Sequence, residues 1–473
     1  MKAKNRFLYL LGLLSVIAMS YIPALAETQT IRLFCAGGEW AGLTFKLSGA
    51  GTVYVDWGDG EVVDYHGDII TGKCHEDTIV VTLPETITGF DCSGLCISWI
   101  DVSAAPLLVT LNCAYNELEA LDVDSLKLLQ ELDCNGNQLT TLSVTKNPAL
   151  RYLDCAENQL TALDISQNAE LQVLSCSENQ LQGLSLGDNS KLSAFWGSEN
   201  MFGILDLTAN PELTSVVLTN CGLQTLELQD VTKLQDLWID GNALSSLNLK
   251  GADVIFSANV SNNRLESIDV DGYTVKTQTY LFDCTGNRLP FSSFYSATKV
   301  KNYVCGVQEP VDCGFDSLEI EVMKDFSPFI TNAGKAKLGV LVVKDAQTDV
   351  ELEKGTSDKD YQFLSGRLRF WHAVDSVYLV VTSSKYPDLE IRSNRFVVFD
   401  PKVGIHSVAS SDGLQVMSGQ GVLTFRGISG EFVTVVSADG RVYWQGVLPS
   451  RKPTSIALPS GIYLVNGNKY KVK

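Results

Sequence analysis

Histidine is scarce in this chain: four in 473 residues, His66, His75, His372 and His406. That leaves little material for a His-based catalytic or zinc site. Charge is also sparse, at 19% of residues, below the usual quarter. Basic residues are the scarcer sign, 36 Lys and Arg against 55 Asp and Glu, for a formal net charge of −19. Phosphate neutralisation needs clustered Lys and Arg, so nucleic acid is excluded as an electrostatic partner. Only 13 prolines, and glycine without a three-residue period, exclude Pro-rich linkers and collagen. No HExxH, GxSxG, P-loop or GxGxxG in strand context is present. No spacing singles out a carboxylate pair. No catalytic residue, metal ligand or cofactor is assigned, and the chain reads as a non-enzyme. Two things are abundant. Apolar residues make up 45%, enough for sizeable cores, and there are twelve cysteines, whose meaning depends on the compartment.

The N-terminus speaks to the compartment. Lys2, Lys4 and Arg6 precede an apolar run from Phe7 to Ile22, and Pro23-Ala24-Leu25-Ala26 offers an A-x-A cleavage site. Residues 1–26 therefore read as a secretory signal peptide. The run is shorter than the ~20 residues a membrane span needs. Losing its three basic residues takes the charge from −19 to −22. The mature chain is expected in an oxidising place, exported through the periplasm to the medium or the cell surface.

The middle of the chain repeats with a period of 21 residues. Leu111-x-Cys113-x-x-Asn116-x-Leu118 returns at Leu132, Cys134, Asn137 and Leu139, at Leu153, Cys155, Asn158 and Leu160, and at Leu174, Cys176, Asn179 and Leu181. Substituted copies follow through Phe195, Val216, Leu237, Ala258 and Phe282, and a degenerate one opens the series at Phe90 and Cys92, making about ten. Leu153 and Cys155, two apart on a short strand, point to one face. Stacking buries that face as a continuous ladder, and each copy depends on its neighbours for stability. Asn158 is placed to close the turn and to bond the next copy's backbone. Cys221 replaces this Asn once, which predicts a local weak point. The pattern resembles the leucine-rich repeat family, most closely the short repeats of bacterial surface proteins such as internalins, over residues 90 to about 290.

Six cysteines lie on the ladder (Cys92, Cys113, Cys134, Cys155, Cys176 and Cys284) and read as small buried apolar groups. Neighbouring parallel strands hold such thiols side by side, a poor geometry for disulfides. Of the others, Cys35 with Cys74 and Cys305 with Cys313 are the disulfide candidates, although spacing alone does not fix connectivity.

The residue between Leu and Cys must point outward. In order these are Asn112, Asp133, Asp154, Ser175, Trp196, Val217, Trp238 and Asn259. Trp196, Val217 and Trp238 are consecutive and apolar, and should form one patch, with Tyr152, Val173, Asp236 and Asp240 beside it. Exposed apolar patches mark binding sites, and Trp and Tyr are favoured anchors. The opposing reading is that Gly197, in the ladder position, leaves room for Trp196 to turn inward. A second outward stripe, Asp122 to Asp269, is largely acidic and reads as a solvated face.

The flanks read as β modules. In residues 27–89, Thr52–Trp57, Gly58-Asp59-Gly60 and Glu61–Tyr65 form strand, turn and strand. This WGDG element resembles polycystic-kidney-disease-type (PKD) modules. Residues 297–400 alternate as a small β-sandwich, immunoglobulin-like in strand number. Residues 401–473 carry Asp439-Gly440-Arg441, then Leu458-Pro459-Ser460-Gly461-Ile462-Tyr463-Leu464-Val465 and a basic end. They resemble the C-terminal sorting domain of the type IX secretion system of Bacteroidetes, with Val403–His406 where members often have Pro-Asn-Pro. The resemblance implies an outer-membrane secretion machinery as partner.

The fold class expected is mainly β: a leucine-rich repeat solenoid over 90–296 flanked by small β-sandwich domains. The function expected is binding of a protein or glycan through the exposed sheet face. The alternatives are a structural spacer of the envelope and, lower, an enzyme with its site in 297–400.

Overall fold

The computed structural model describes residues 28–35, 40–75, 77–249, 251–252, 254–269, 280–290, 302–313 and, with gaps, 317–472. The signal-peptide reading lies outside them. Among the described residues there are strands and turns but no α-helix. The chain divides into two units at about residue 284, each with its own core.

The first unit is built on the repeat. Ten short parallel strands, Ile87–Asp91, Thr110–Asn112, Glu131–Asp133, Tyr152–Asp154, Val173–Ser175, Ala194–Trp196, Ser215–Val217, Asp236–Trp238, Ser257–Asn259 and Leu281–Asp283, stack as successive rungs of one sheet and enclose nine turns. The register follows the period: Leu132 pairs with Leu153, Leu153 with Leu174, Leu174 with Phe195. The ladder residues Leu111 to Leu237 and their cysteines are essentially inaccessible. Burying each such Leu contributes about 1.5–3 kcal/mol relative to exposure.

The asparagines bind turn to turn. Asn158 Nδ2 donates to the carbonyls of Cys155 (3.2 Å), Ala156 (3.0 Å) and, one turn back, Cys134 (3.0 Å), while its Oδ1 accepts the Leu139 amide at 2.9 Å. Asn116, Asn137, Asn179 and Asn200 repeat this scheme. At the exceptional copy the Cys221 thiol donates to Gly197 O at 3.1 Å, so part of the bridge survives. A second ladder, Asn147, Asn168, Asn189 and Asn210, runs along the far side. Asn168 Nδ2 donates to Val144 O (3.0 Å) and Asn147 O (2.9 Å), as its neighbours do. All four Oδ1 atoms of that ladder are buried without a protein partner.

A cap of antiparallel strands begins the unit. Trp40–Gly49 pairs with Ile87–Asp91 on one side and Ile69–Cys74 on the other, so the solenoid sheet continues into the cap. A second sheet runs Val62–His66, Thr52–Asp56, Thr78–Leu83, Gln29–Cys35, Ile97–Ala104. A boundary at residue 89 thus falls inside a continuous ladder. In the WGDG turn, Asp56 Oδ1 accepts the amides of Gly58 (2.9 Å) and Gly60 (3.1 Å), and Asp59 Oδ1 that of Glu61 (3.0 Å). These carboxylates hold the turn. Trp57 stacks on Phe45 at 5.4 Å between ring centres and donates to Tyr65 Oη at 2.9 Å. Its ring lies over Gly72, where a Cβ would approach it to 2.1 Å, so glycine is required there.

In the second unit a sheet of Ser317–Glu319, Phe396–Phe399, Val374–Ser383 and Val340–Asp345, with Tyr386–Arg392 added, meets a smaller one of Tyr361–Leu364, Arg367–Phe370 and Lys324–Asp325. Phe370 packs edge-on to Phe396 at 6.0 Å and lies 6.2 Å from Tyr361. Residues 406–472 form two four-stranded antiparallel sheets. The Asp439-Gly440-Arg441 element lies outside the described residues.

Candidate functional site

The outward position of each rung normally serves the backbone. Asp91 Oδ1 accepts the Ser93 amide (3.0 Å), Asn112 that of Ala114 (3.0 Å), Asp133 that of Asn135 (3.2 Å), Asp154 that of Ala156 (3.1 Å) and Asn259 that of Ser261 (3.1 Å). A short carboxylate or amide side chain caps the turn that ends the strand, as Asx turns do. The device stops after Asp154: the next rung carries Ser175, and the three after it carry Trp196, Val217 and Trp238. One substitute is visible: the Thr219 amide, two residues after Val217, donates to Ser198 Oγ at 3.1 Å from the neighbouring turn. Giving up a cap costs about 0.5–1.5 kcal/mol, so these side chains are not there to stabilise the turn.

The register brings the three together, Trp196 opposite Val217 and Val217 opposite Trp238. Both Trp residues are 37% exposed. Trp196 does not turn inward. The space at Gly197 is taken by Phe202 and Phe195, whose rings a Cβ there would meet at 3.0 and 3.1 Å. Trp196 Nε1 instead donates to Ser215 Oγ at 3.2 Å, which fixes the indole across the sheet face. Asp236 and Asp240 are half-buried beside Trp238, and Asp240 Oδ1 accepts from Thr219 Oγ1 at 2.9 Å. Val173 lies one rung before Trp196 and Tyr152 two, paired with each other and half-buried.

A second feature of this face escaped the sequence. A depression of about 470 Å³ opens between the cap and the first rungs, lined by Lys46, Asp68, Ile69, Asp91, Thr110, Asn112, Glu131, Asp133 and Tyr152 among others. Lys46 Nζ lies 3.5 Å from Asp91. Burial, more than the charges of Asp154 and Asp91, pushes the Asp133 carboxyl above its ordinary range, against the pull of the Asn135 amide. Burial, with Asp154 and Asp133 nearby, pushes the Tyr152 hydroxyl up to about 12. No spacing announces this group, because the cap strands supply residues far from the rungs in sequence.

The far acidic stripe caps turns: Asp122 Oδ1 accepts the Asp124 amide, Asp164 that of Ser166 and Asp206 that of Thr208, each within 3.0 Å. No cluster of His, Cys, Asp or Glu suited to a metal occurs among the described residues.

Of the disulfide candidates, Cys35 and Cys74 are both buried and their thiols adjoin. Burial, then the charge of Cys74 and its hydrogen bond, pushes the Cys35 thiol up to about 12. Cys35 sits on one sheet of the cap and Cys74 on the other. Cys313 donates its thiol to Asn394 Oδ1 at 2.7 Å and its amide to the same atom at 2.8 Å. Cys305 falls one period beyond Cys284. Gln308 there stands in for the ladder Asn: its Nε2 donates to Cys305 O at 2.6 Å and its Oε1 accepts the Leu289 amide at 3.3 Å.

No protein-family model and no curated protein matches the sequence. Solved structures do resemble the fold. The functional domain of InlJ from Listeria monocytogenes, described as including a cysteine ladder, superposes with a TM-score of 0.53 at 22% identity, over 66% of this chain and 67% of that one. A leucine-rich repeat protein of Leptospira interrogans gives 0.39 at 17% identity, over 45% of this chain and 56% of that one. YopM from Yersinia enterocolitica gives 0.38 at 21%, over 50% and 51%. The first of these likenesses identifies the architecture as the leucine-rich repeat solenoid.

Proposed function

We propose that this leucine-rich repeat solenoid is a non-enzymatic binding protein that holds a protein ligand on its sheet face, with Trp196, Val217 and Trp238 as anchors and Tyr152, Val173, Asp236 and Asp240 around them. The observation that carries the reading is the exchange of turn-capping Asp and Asn for Trp, Val and Trp in three adjacent rungs. Indole rings offer large contact area at low entropic cost, which suits them to hot spots. The test is a W196A/W238A variant, checked for an unchanged melting temperature and compared with wild type for ligand capture. Loss of capture supports the reading; unchanged capture removes it and leaves the solenoid as a spacer. Capture of glycans rather than proteins on an array redirects it to sugars.

The chain is further proposed to be secreted or held at the outer-membrane surface, with residues 401–473 as a type IX address and residues 27–89 as a PKD-like module. The support is the sequence resemblance. A reporter fused to 401–473 should reach the surface of a Bacteroidetes host only when its type IX machinery is intact. In that oxidising setting Cys35 and Cys74 are proposed to staple the two cap sheets. Peptide mapping without reductant should find them linked, and finding both alkylated would remove the staple.

A further inference from the structure

The sheet face carries two features of opposite chemistry on one ruler, since every rung is a known step. The depression at the cap end is anchored by Asp133, and the apolar patch begins at Trp196. Asp133, Asp154, Ser175, Trp196, Val217 and Trp238 are opposite one another on successive rungs. At about 4.8 Å per rung, Trp196 lies about 14 Å from Asp133 and Trp238 about 24 Å.

The depression is amphipathic. Asp68, Asp91, Glu131 and Asp133 line it, and Lys46, the cation lining it, faces Asp91. Ile69, 61% exposed, and the Tyr152 ring form apolar walls. Carboxylates with an aliphatic wall and an aromatic one suit a long basic side chain. The stem lies along Ile69, the head reaches Glu131 and Asp133, and the Tyr152 ring offers a cation–π face. With a formal net charge of −19, the chain repels copies of itself from such a pocket, which points to a basic segment of another protein.

We propose that the sheet face recognises an extended peptide segment of a protein partner, placing an Arg or Lys in the pocket at Glu131 and Asp133 and an apolar or aromatic residue on the Trp196–Val217–Trp238 patch. An extended chain advances about 3.3 Å per residue, so the two anchors are separated by four to seven residues. This rests on the functional reading above and adds a charge requirement and a spacing.

The test selects 12-residue random peptides, displayed on phage, against the full chain. Recovered peptides are re-measured on W196A/W238A and on E131Q/D133N. The second variant keeps the turn cap, because Asn112 and Asn259 perform it with an amide. The expected result is enrichment of a basic residue four to seven positions from an apolar one. Affinity should fall at least tenfold on each variant, and wild-type affinity should weaken steeply from 50 to 500 mM salt. Peptides that need the two Trp residues yet bind E131Q/D133N and high-salt wild type undiminished overturn this inference and leave the functional reading standing. Peptides indifferent to both variants, or no peptides at all, overturn both. The salt series uses wild-type protein, so it decides the question even if a variant misfolds.

Discussion

The two sides of a solenoid turn use the same residue to different effect. On the strand side, Asn158 and its equivalents spend both ends of the amide, and thiols fill the ladder beside them. On the far side, Asn168 and its equivalents donate twice but leave a buried Oδ1 without a protein partner, and the fillers are aliphatic. Identical spacing therefore does not mean identical stakes. One side is a closed hydrogen-bond circuit carrying every ladder thiol; the other is half-closed and carries none.

The largest way to test that contrast is alkali. Burial, ahead of any neighbouring charge, raises the thiols of Cys92, Cys113, Cys134, Cys155 and Cys176 above the ordinary value of 9.0. A thiol raised in the folded state stays protonated there after it has ionised in the unfolded chain. Its contribution is whole below about pH 9 and is lost as pH rises further. Each costs about 1.4 kcal/mol per pH unit, so five make stability fall by several. Melting temperature followed from pH 8 to 11 should drop steeply above 9, and C134A should shed its share of the slope. A flat profile would break the comparison.

Next in size are the asparagines. Asn158→Ala strands three carbonyls and one amide in a dry place, and urea unfolding should show a loss of about 3–5 kcal/mol. Asn168→Ala removes two bonds together with the unpartnered oxygen, and should cost about 1–3 kcal/mol. The reverse order would mean that the far Oδ1 column is bonded, as a buried file of water would bond it. The smallest effect is expected at Cys221→Asn. It completes the circuit in that turn and should stabilise by about 1 kcal/mol in the same assay.

Much of the solenoid was legible because its signal is local. A period of 21 sets the register directly, and Leu132 opposite Leu153 is the alignment made physical. Alternation on a three-residue strand places Trp196 and Trp238 outward, and both are exposed on the sheet face. What escaped lay in substitutions of shape rather than type. Phe202 fills the room left by Gly197, which settles a choice the sequence left open. Gln308 does an asparagine's work one period after the last copy recognised, and it places Cys305 in the ladder frame. The depression beside Tyr152 was invisible for a topological reason. Lys46, Asp68 and Asp133 meet only because the cap strands join the rung sheet out of sequence order.

That junction bears on assembly. A stack of parallel rungs ends in an open row of amides and carbonyls, which another stack could continue into a filament. Here the first rung is met by Trp40–Gly49 running the opposite way, and Ile69–Cys74 lies beyond it. A neighbour's rungs arriving at that end would find the bonding pattern of an antiparallel edge, out of step with their own. The cap thus works as a polarity lock, and turns can be duplicated or lost behind it without seeding a fibre from that end.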